Sequence, residues 1–179
     1  VWAEYKFNDP YKFLKSQAIF LIVGYVIMII VANIPYTKYL NKANIIFGVC
    51  FLLLILVLIP GIGTIRNGSR SWFGIGPLGI QPSEFTKLAL IIFTSKYLAH
   101  NEKLLKDIKK GVFPILGILL LVFGLIMLQP DFGTGVVIVM TIVVLLFVSG
   151  VKMGFFIKIG VLGLIGVVVL VIMAPYRLK

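Results

Sequence analysis

The chain has 179 residues, of which 60% are hydrophobic and 13% are charged, and its mean hydropathy is +1.12. Soluble domains carry about 25% charged residues, so the composition excludes an ordinary soluble domain and indicates a helical protein that crosses a membrane several times. The net charge of +11 would suggest nucleic-acid binding in a soluble protein. Here the lysines lie in short loops beside apolar segments, so we expect them to signal topology and contact anionic lipid headgroups, with no nucleic-acid partner.

Six apolar segments predict six transmembrane helices, and therefore an all-α polytopic fold that forms one domain over residues 1–179. In chain order, the predicted spans are residues 17–34, 44–59, 82–99, 112–128, 133–149 and 155–174. The aromatic and charged residues 1–15 suit an interfacial or a solvated loop. Both ends of the sequence look cut, so we expect a fragment of a longer protein.

Each span crosses the membrane once, so alternate loops share a face. Residues 1–15, 60–82, 129–133 and 175–179 lie on one face, which also carries every arginine in the chain: Arg66, Arg70 and Arg177. The lysine and arginine count is nearly equal, with eight on the opposite face and seven on this one. The dense basic loop 100–111 favours a cytoplasmic position for the opposite face, which puts the arginine face outside the cell.

Two helix starts on that face resemble each other. One is Gln81-Pro82-Ser83-Glu84, and the other is Gln129-Pro130-Asp131. Proline is favoured at the first helical position, and an acid in the first turn meets the positive end of the helix dipole. Helix initiation therefore explains the residue types, but it does not explain why both motifs lie at membrane depth beside arginines.

Glu84 and Lys87 lie three residues apart, so on a helix their side chains can pair. Such a pair within a span is costly unless it faces protein or water. It is either a buried structural ion pair or part of a polar cavity that accepts a charged substrate group, and both can hold.

Arginines bind phosphate through a planar fork, so Arg66 and Arg70 form a candidate phosphate site, although loop arginines are commonly just solvated. Trp72 is either an interfacial anchor or a surface on which a sugar stacks.

Cys50 and His100 are the only residues of their types. The sequence therefore contains no multi-histidine metal motif and no evident cofactor site, and it does not decide whether a divalent cation binds.

The motifs resemble those of the SEDS family (shape, elongation, division and sporulation proteins), typified by RodA and FtsW. The matching segments are Asn67–Trp72, Ile80–Lys87 and Leu128–Thr134. The segment 174–177 resembles the start of the large extracellular loop of the family. The opening segment 1–7 is most similar to the sporulation branch, SpoVE, and to its division relatives.

The resemblance implies a fold of about ten spans, of which this chain holds the second to seventh. It implies polymerisation of lipid II, an undecaprenyl-pyrophosphate-linked disaccharide, beside a class B penicillin-binding protein in the bacterial cytoplasmic membrane. It also implies that the motif face is extracellular and that Arg70, Glu84 and Lys87 line a polar cavity. The candidate substrate-binding residues are Arg70, Trp72, Gln81, Glu84, Lys87, Asp131 and Arg177.

The expected catalytic aspartate of the family lies beyond Lys179, so we expect this chain alone to be inactive. The sequence leaves three hypotheses for the whole protein. It is a peptidoglycan glycosyltransferase, a lipid II flippase, or a membrane scaffold for a penicillin-binding protein.

Overall fold

The computed structural model describes residues 11–66, 68–74 and 79–161. The elements are α1 Lys12–Ala32, α2 Tyr36–Leu56, β1 Thr64–Arg66, β2 Ser69–Trp72, α3 Pro82–His100, a 3₁₀ turn Glu102–Lys106, a π-helical turn Ile108–Val112, α4 Phe113–Met127, α5 Phe132–Val148 and the helix 153–161. The all-α polytopic prediction is confirmed, with one small hairpin added to it.

Within the described residues, three helical stretches are long and apolar enough to cross a membrane, namely Leu14–Ala32, Tyr36–Leu56 and Ile108–Met127. Helix α5 is apolar but has 17 residues, and α3 carries three charged residues among its 19. The part of the sixth predicted span that the structure describes is helical through residue 161. The rest of that span, and Arg177, lie outside the described residues.

The chain divides into two units, residues 1–41 and 42–179. In the first unit, the apolar side chains that the structure describes on α1 are exposed all around the helix, as expected for a helix whose solvent is lipid. Its end is fixed locally, because Asn33 Nδ2 donates to the Ile29 carbonyl at 2.8 Å. The prediction of one domain stays a prediction.

The core of the second unit is formed mainly by α3, α4 and α5. Buried residues repeat along α4 at the spacing of one helical face: Ile115, Leu119, Val122 and Ile126. The matching face of α5 is Gly135, Ile138, Ile142 and Leu146. Lipid tails are as apolar as these side chains, so van der Waals packing, rather than escape from water, holds the helices together.

Helices α3 and α5 run in the same direction. Gln81, before α3, is hydrogen-bonded to Asp131, before α5. At the far ends, Leu98 of α3 and Leu145 of α5 line one cavity. Both Gln-Pro motifs therefore lie at the same end of the bundle, as the parity of the predicted spans requires.

Three local predictions were wrong. The stretch between the second and third spans was predicted as a loop, yet it contains the hairpin β1–β2. The second helix begins at Tyr36 rather than near residue 44, because Pro35 separates two helices joined by only three residues. The basic loop 100–111 contains the 3₁₀ and π-helical turns, which pack it against α3 and α4.

Candidate functional site

The hairpin carries the first two predicted site residues, Arg70 and Trp72. Its strands pair antiparallel, with Thr64 opposite Trp72 and Arg66 opposite Ser69. Gly68 at the turn has a φ of +81°, which glycine adopts without steric cost. Asn67-Gly68 between two short strand-forming runs is a strong hairpin signal, so the sequence contained the information that the loop prediction missed.

The two arginines of the hairpin have different surroundings. The Arg66 guanidinium lies 5.1 Å from the centroid of the Trp72 ring, a cation–π distance, and it also covers Gly79. Arg70 is half-buried, and its guanidinium forms no hydrogen bond or ion pair within the part of the chain that the structure describes. Arg70 is therefore the arginine whose fork is free to bind an anion.

A carboxylate joins the two Gln-Pro motifs. Asp131 Oδ2 accepts a hydrogen bond from Gln81 Nε2 at 2.8 Å. Asp131 Oδ1 accepts from the Thr134 backbone N–H at 3.1 Å, which caps the start of α5. Both carboxylate oxygens of Asp131 thus accept hydrogen bonds from other residues of the protein, and these bonds link the start of α3 to the start of α5.

Gln129, in the same motif, is fully buried. Its Nε2 lies 3.4 Å from the Leu54 carbonyl of α2, while its backbone carbonyl accepts a hydrogen bond from Ser69 Oγ of the hairpin. Gln129 therefore connects the hairpin, α2 and the start of α5. These contacts favour a structural role for Gln129 in the motif Gln129-Pro130-Asp131.

One turn into α3, Glu84 and Lys87 form the predicted ion pair. Lys87 Nζ lies 2.9 Å from Glu84 Oε1, with the side chains 25% and 53% exposed, respectively. The pair is therefore not a buried structural bridge, because more than half of the carboxylate side chain remains open.

The pair opens onto a groove of about 360 Å³ between α3 and α5. The groove is lined by Glu84, Phe85, Lys87, Leu88, Ile91 and Thr141. Apolar walls and one pair of opposite charges suit an amphiphilic ligand that carries both a charged group and a lipid chain.

The structure brings the predicted site residues together in part. Gln81 contacts Asp131 directly, and Glu84 contacts Lys87. Arg70 and Trp72 lie on β2, which runs beside α3, but within the described part of the chain neither side chain forms a hydrogen bond or ion pair with Glu84 or Lys87.

Sequence reasoning missed Thr141 and Ser69. Thr141 lines the groove opposite Lys87, and the signal was available because it is the one polar side chain between Gly135 and Val148. No sequence pattern marks Ser69, since its role depends on the hairpin reaching Gln129.

Across the described residues, no group of three or more histidine, cysteine or acidic side chains could hold a metal ion.

Comparison with known proteins places this geometry in context. A family model described as "Cell cycle protein", which covers FtsW, RodA and SpoVE, matches residues 1–179. The chain is 46% identical to stage V sporulation protein E of Bacillus subtilis, over all of this chain and 49% of that protein. It is 37% identical to the "Probable peptidoglycan glycosyltransferase FtsW" of Legionella pneumophila, over 96% of this chain and 43% of that protein.

Two solved structures have a similar fold. The rod shape determining protein RodA of Thermus thermophilus matches with a TM-score of 0.68 at 30% identity, over 88% of this chain and 51% of that one. A chain of a peptidoglycan synthase complex, solved to show how polymerization and crosslinking are coordinated, matches with a TM-score of 0.75 at 29% identity, over 96% of this chain and 48% of that one. The chain thus spans about half the length of the relatives it matches.

Proposed function

Because the chain belongs to the cell cycle protein family of FtsW, RodA and SpoVE, we propose that the whole protein is a peptidoglycan glycosyltransferase. It polymerises lipid II into glycan strands in the bacterial cytoplasmic membrane, during division, elongation or sporulation. Relatives that are named as peptidoglycan glycosyltransferases, at 34% to 38% identity, support this reaction class.

The observation that carries the proposal is the open Glu84–Lys87 pair on a groove whose other lining residues are apolar except for Thr141. Lipid II joins a pyrophosphate to a long lipid chain, so its binding site needs cationic groups next to apolar surface. Lys87 and the unpaired Arg70 supply the cations, and Phe85, Leu88 and Ile91 supply the apolar wall.

In the reaction, an acceptor sugar hydroxyl attacks the anomeric carbon of the donor. The bond from that carbon to the pyrophosphate breaks, and the lipid pyrophosphate leaves with its electron pair. A carboxylate acts as general base and takes the hydroxyl proton, and cationic groups stabilise the leaving group. In this proposal the base is the carboxylate of an aspartate outside the 179 residues, so we expect the 179-residue chain to be inactive by itself.

The polymerase works beside a class B penicillin-binding protein that crosslinks its product. The similarity to a chain of a peptidoglycan synthase complex supports such a partner. Both Gln-Pro motifs and the groove face the outside of the cell, where the glycan strand is built.

The test is glycan synthesis from purified lipid II by the full-length protein with its penicillin-binding partner in detergent. We expect lipid-linked glycan chains. Absence of product under conditions where the partner is folded and bound would contradict the proposal.

The same preparation separates the alternatives. Transfer of lipid II across sealed vesicles that survives loss of the downstream aspartate would favour a flippase. A Glu84→Ala variant that binds its partner weakly yet polymerises normally would favour a scaffold.

A further inference from the structure

A second cavity lies at the opposite end of α3 from the Gln-Pro motifs. It has a volume of about 220 Å³ and is lined by Asn44, Phe93, Lys96, Tyr97, His100 and Asn101. A water molecule occupies about 30 Å³ in the liquid, so the cavity can hold a hydrated ligand group. It shares no lining residue with the Glu84–Lys87 groove.

Lys96 is the charged group of this cavity. The side chain is half-buried one turn before the end of α3, and its Nζ lies 3.4 Å from Asn44 Oδ1 of α2. Among the described residues, no acid lines the cavity and Lys96 forms no ion pair. The hydrogen bond to this neutral amide is long and exposed, so the ammonium keeps its positive charge available to an anionic ligand.

The segment that follows the cavity carries more basic than acidic residues, with Lys103, Lys106, Lys109 and Lys110 against Glu102 and Asp107. Tyr97 Oη donates to the Lys110 carbonyl at 3.3 Å, which holds the basic segment 108–112 beside the cavity. Asp107, which caps that segment, accepts a hydrogen bond from the Lys109 N–H at 3.0 Å. The site therefore favours an anion.

The remaining wall of the cavity is aromatic. Phe93 stacks on Phe47 of α2, with ring centroids 4.8 Å apart and an interplanar angle of 28°. The next face of α2 exposes Ile45, Val49 and Leu52 on a helix that is long and apolar enough to cross a membrane. A ligand that joins an anionic group to an apolar chain would use both surfaces, whereas a free anion would use only Lys96.

From this arrangement, we propose that the cavity binds the phosphate group of an anionic phospholipid, with Lys96 as the cationic ligand and the Phe47–Phe93 pair beneath the first carbons of an acyl chain. The site is separate from the proposed glycosyltransferase groove, and its existence does not depend on that activity.

The test uses the full-length protein in a neutral detergent and follows its melting temperature as lipid is added. Phosphatidylglycerol should raise the melting temperature in a saturable manner, because a ligand that binds only the folded state stabilises it. Phosphatidylcholine at the same concentrations should raise it much less. Inorganic phosphate is the third arm, and a shift as large as that with phosphatidylglycerol would show a soluble anion site and overturn the lipid assignment.

Lys96→Gln should weaken the apparent affinity for phosphatidylglycerol about tenfold or more, the value of one hydrogen bond to a charged group. Lys152→Gln is the matched control, because Lys152 is exposed in the connection after α5, outside the cavity. It removes the same charge and should change the affinity by less than about twofold. Equal weakening by the two variants would overturn the proposal, since it would indicate a diffuse effect of net charge.

Asn44→Asp is a second variant that keeps Lys96 in place. The new carboxylate should pair with Lys96 Nζ, so the protein should fold in detergent, but its affinity for phosphatidylglycerol should be reduced.

If Lys96 only compensates the negative end of the α3 dipole, Lys96→Gln would lower the melting temperature equally in both lipids and leave the response to phosphatidylglycerol intact. That result would also overturn the proposal.

Discussion

Asp131 is held by two hydrogen bonds at once, and this changes the role expected for it. One oxygen caps α5 through the Thr134 N–H, and the other accepts from Gln81 at the start of α3. A carboxylate with both oxygens occupied in this way positions the groove-bearing end of α3. We therefore propose that Asp131 and Gln81 act on the substrate through the placement of Glu84 and Lys87.

Replacing Asp131 with alanine should destabilise the protein by about 2–3 kcal/mol, because it removes a helix cap and a charged hydrogen bond together. Asp131→Asn should cost less, since the amide oxygen can still accept from Thr134 and the amide nitrogen can donate to a rotated Gln81. Thermal unfolding of the full-length variants in detergent measures this order. Asp107→Ala is the control, because Asp107 accepts from a backbone N–H but bridges no second helix; an equal loss there would contradict the bridging role.

The Glu84–Lys87 pair makes a different prediction. Its members are partly open, so pairing adds little stability, about 0–1 kcal/mol. Glu84→Lys and Lys87→Glu should each impair glycan synthesis while the melting temperature changes little, and the double exchange should restore part of the activity. Normal activity in both single variants would argue against the polar groove.

At the scale of elements, helices were easier to predict than the segments between them. Helices α4 and α5 begin and end within one residue of the sequence prediction, because Pro114 and Pro130 mark their starts and long apolar runs define their lengths. The hairpin escapes a prediction based on apolar runs, because its signal is the Asn67-Gly68 turn between two short strands. The contact of Ser69 with Gln129, 60 residues away, could not be predicted from local sequence, since it depends on how the hairpin lies against the start of α5.

Gly63 at the entrance to the hairpin makes the element-scale prediction. A Cβ atom there would lie 1.8 Å from the Val57 carbonyl oxygen, which is backbone and cannot swing away. Gly63→Ala should therefore displace the hairpin, lower the melting temperature and reduce glycan synthesis. Gly48→Ala is the matched control in α2, where no described atom lies within 4 Å of the added Cβ and alanine favours the helix by about 1 kcal/mol. Equal effects of the two variants would contradict this account of the hairpin.

At the scale of the whole molecule, the bundle has two ends of different character. The end with both Gln-Pro motifs carries the Glu84–Lys87 pair and the hairpin, and the other carries the basic segment 100–111. The parity of the spans predicted this grouping from sequence, because helix connections alternate between ends. The nearly equal count of basic residues on the two faces could not fix which end is outside, so the orientation remains a proposal.

Cysteine labelling tests that orientation. In a cysteine-free full-length background, Ile80→Cys near the Gln-Pro end and Glu102→Cys at the basic end both place the thiol at exposed positions. A membrane-impermeant maleimide should label residue 80 in intact cells and residue 102 only after lysis. The reverse pattern would contradict an extracellular groove.

The most direct test of the groove as the lipid II site is photo-crosslinking from two phenylalanine positions on α3. Phe85 lines the groove beside Glu84 and Lys87, and Phe93 lines the separate cavity two turns further on. With benzoylphenylalanine at either position in the full-length protein, radiolabelled lipid II should be captured at residue 85 and not at residue 93. Capture at residue 93 alone, or equally at both positions, would contradict the assignment of this groove to the substrate.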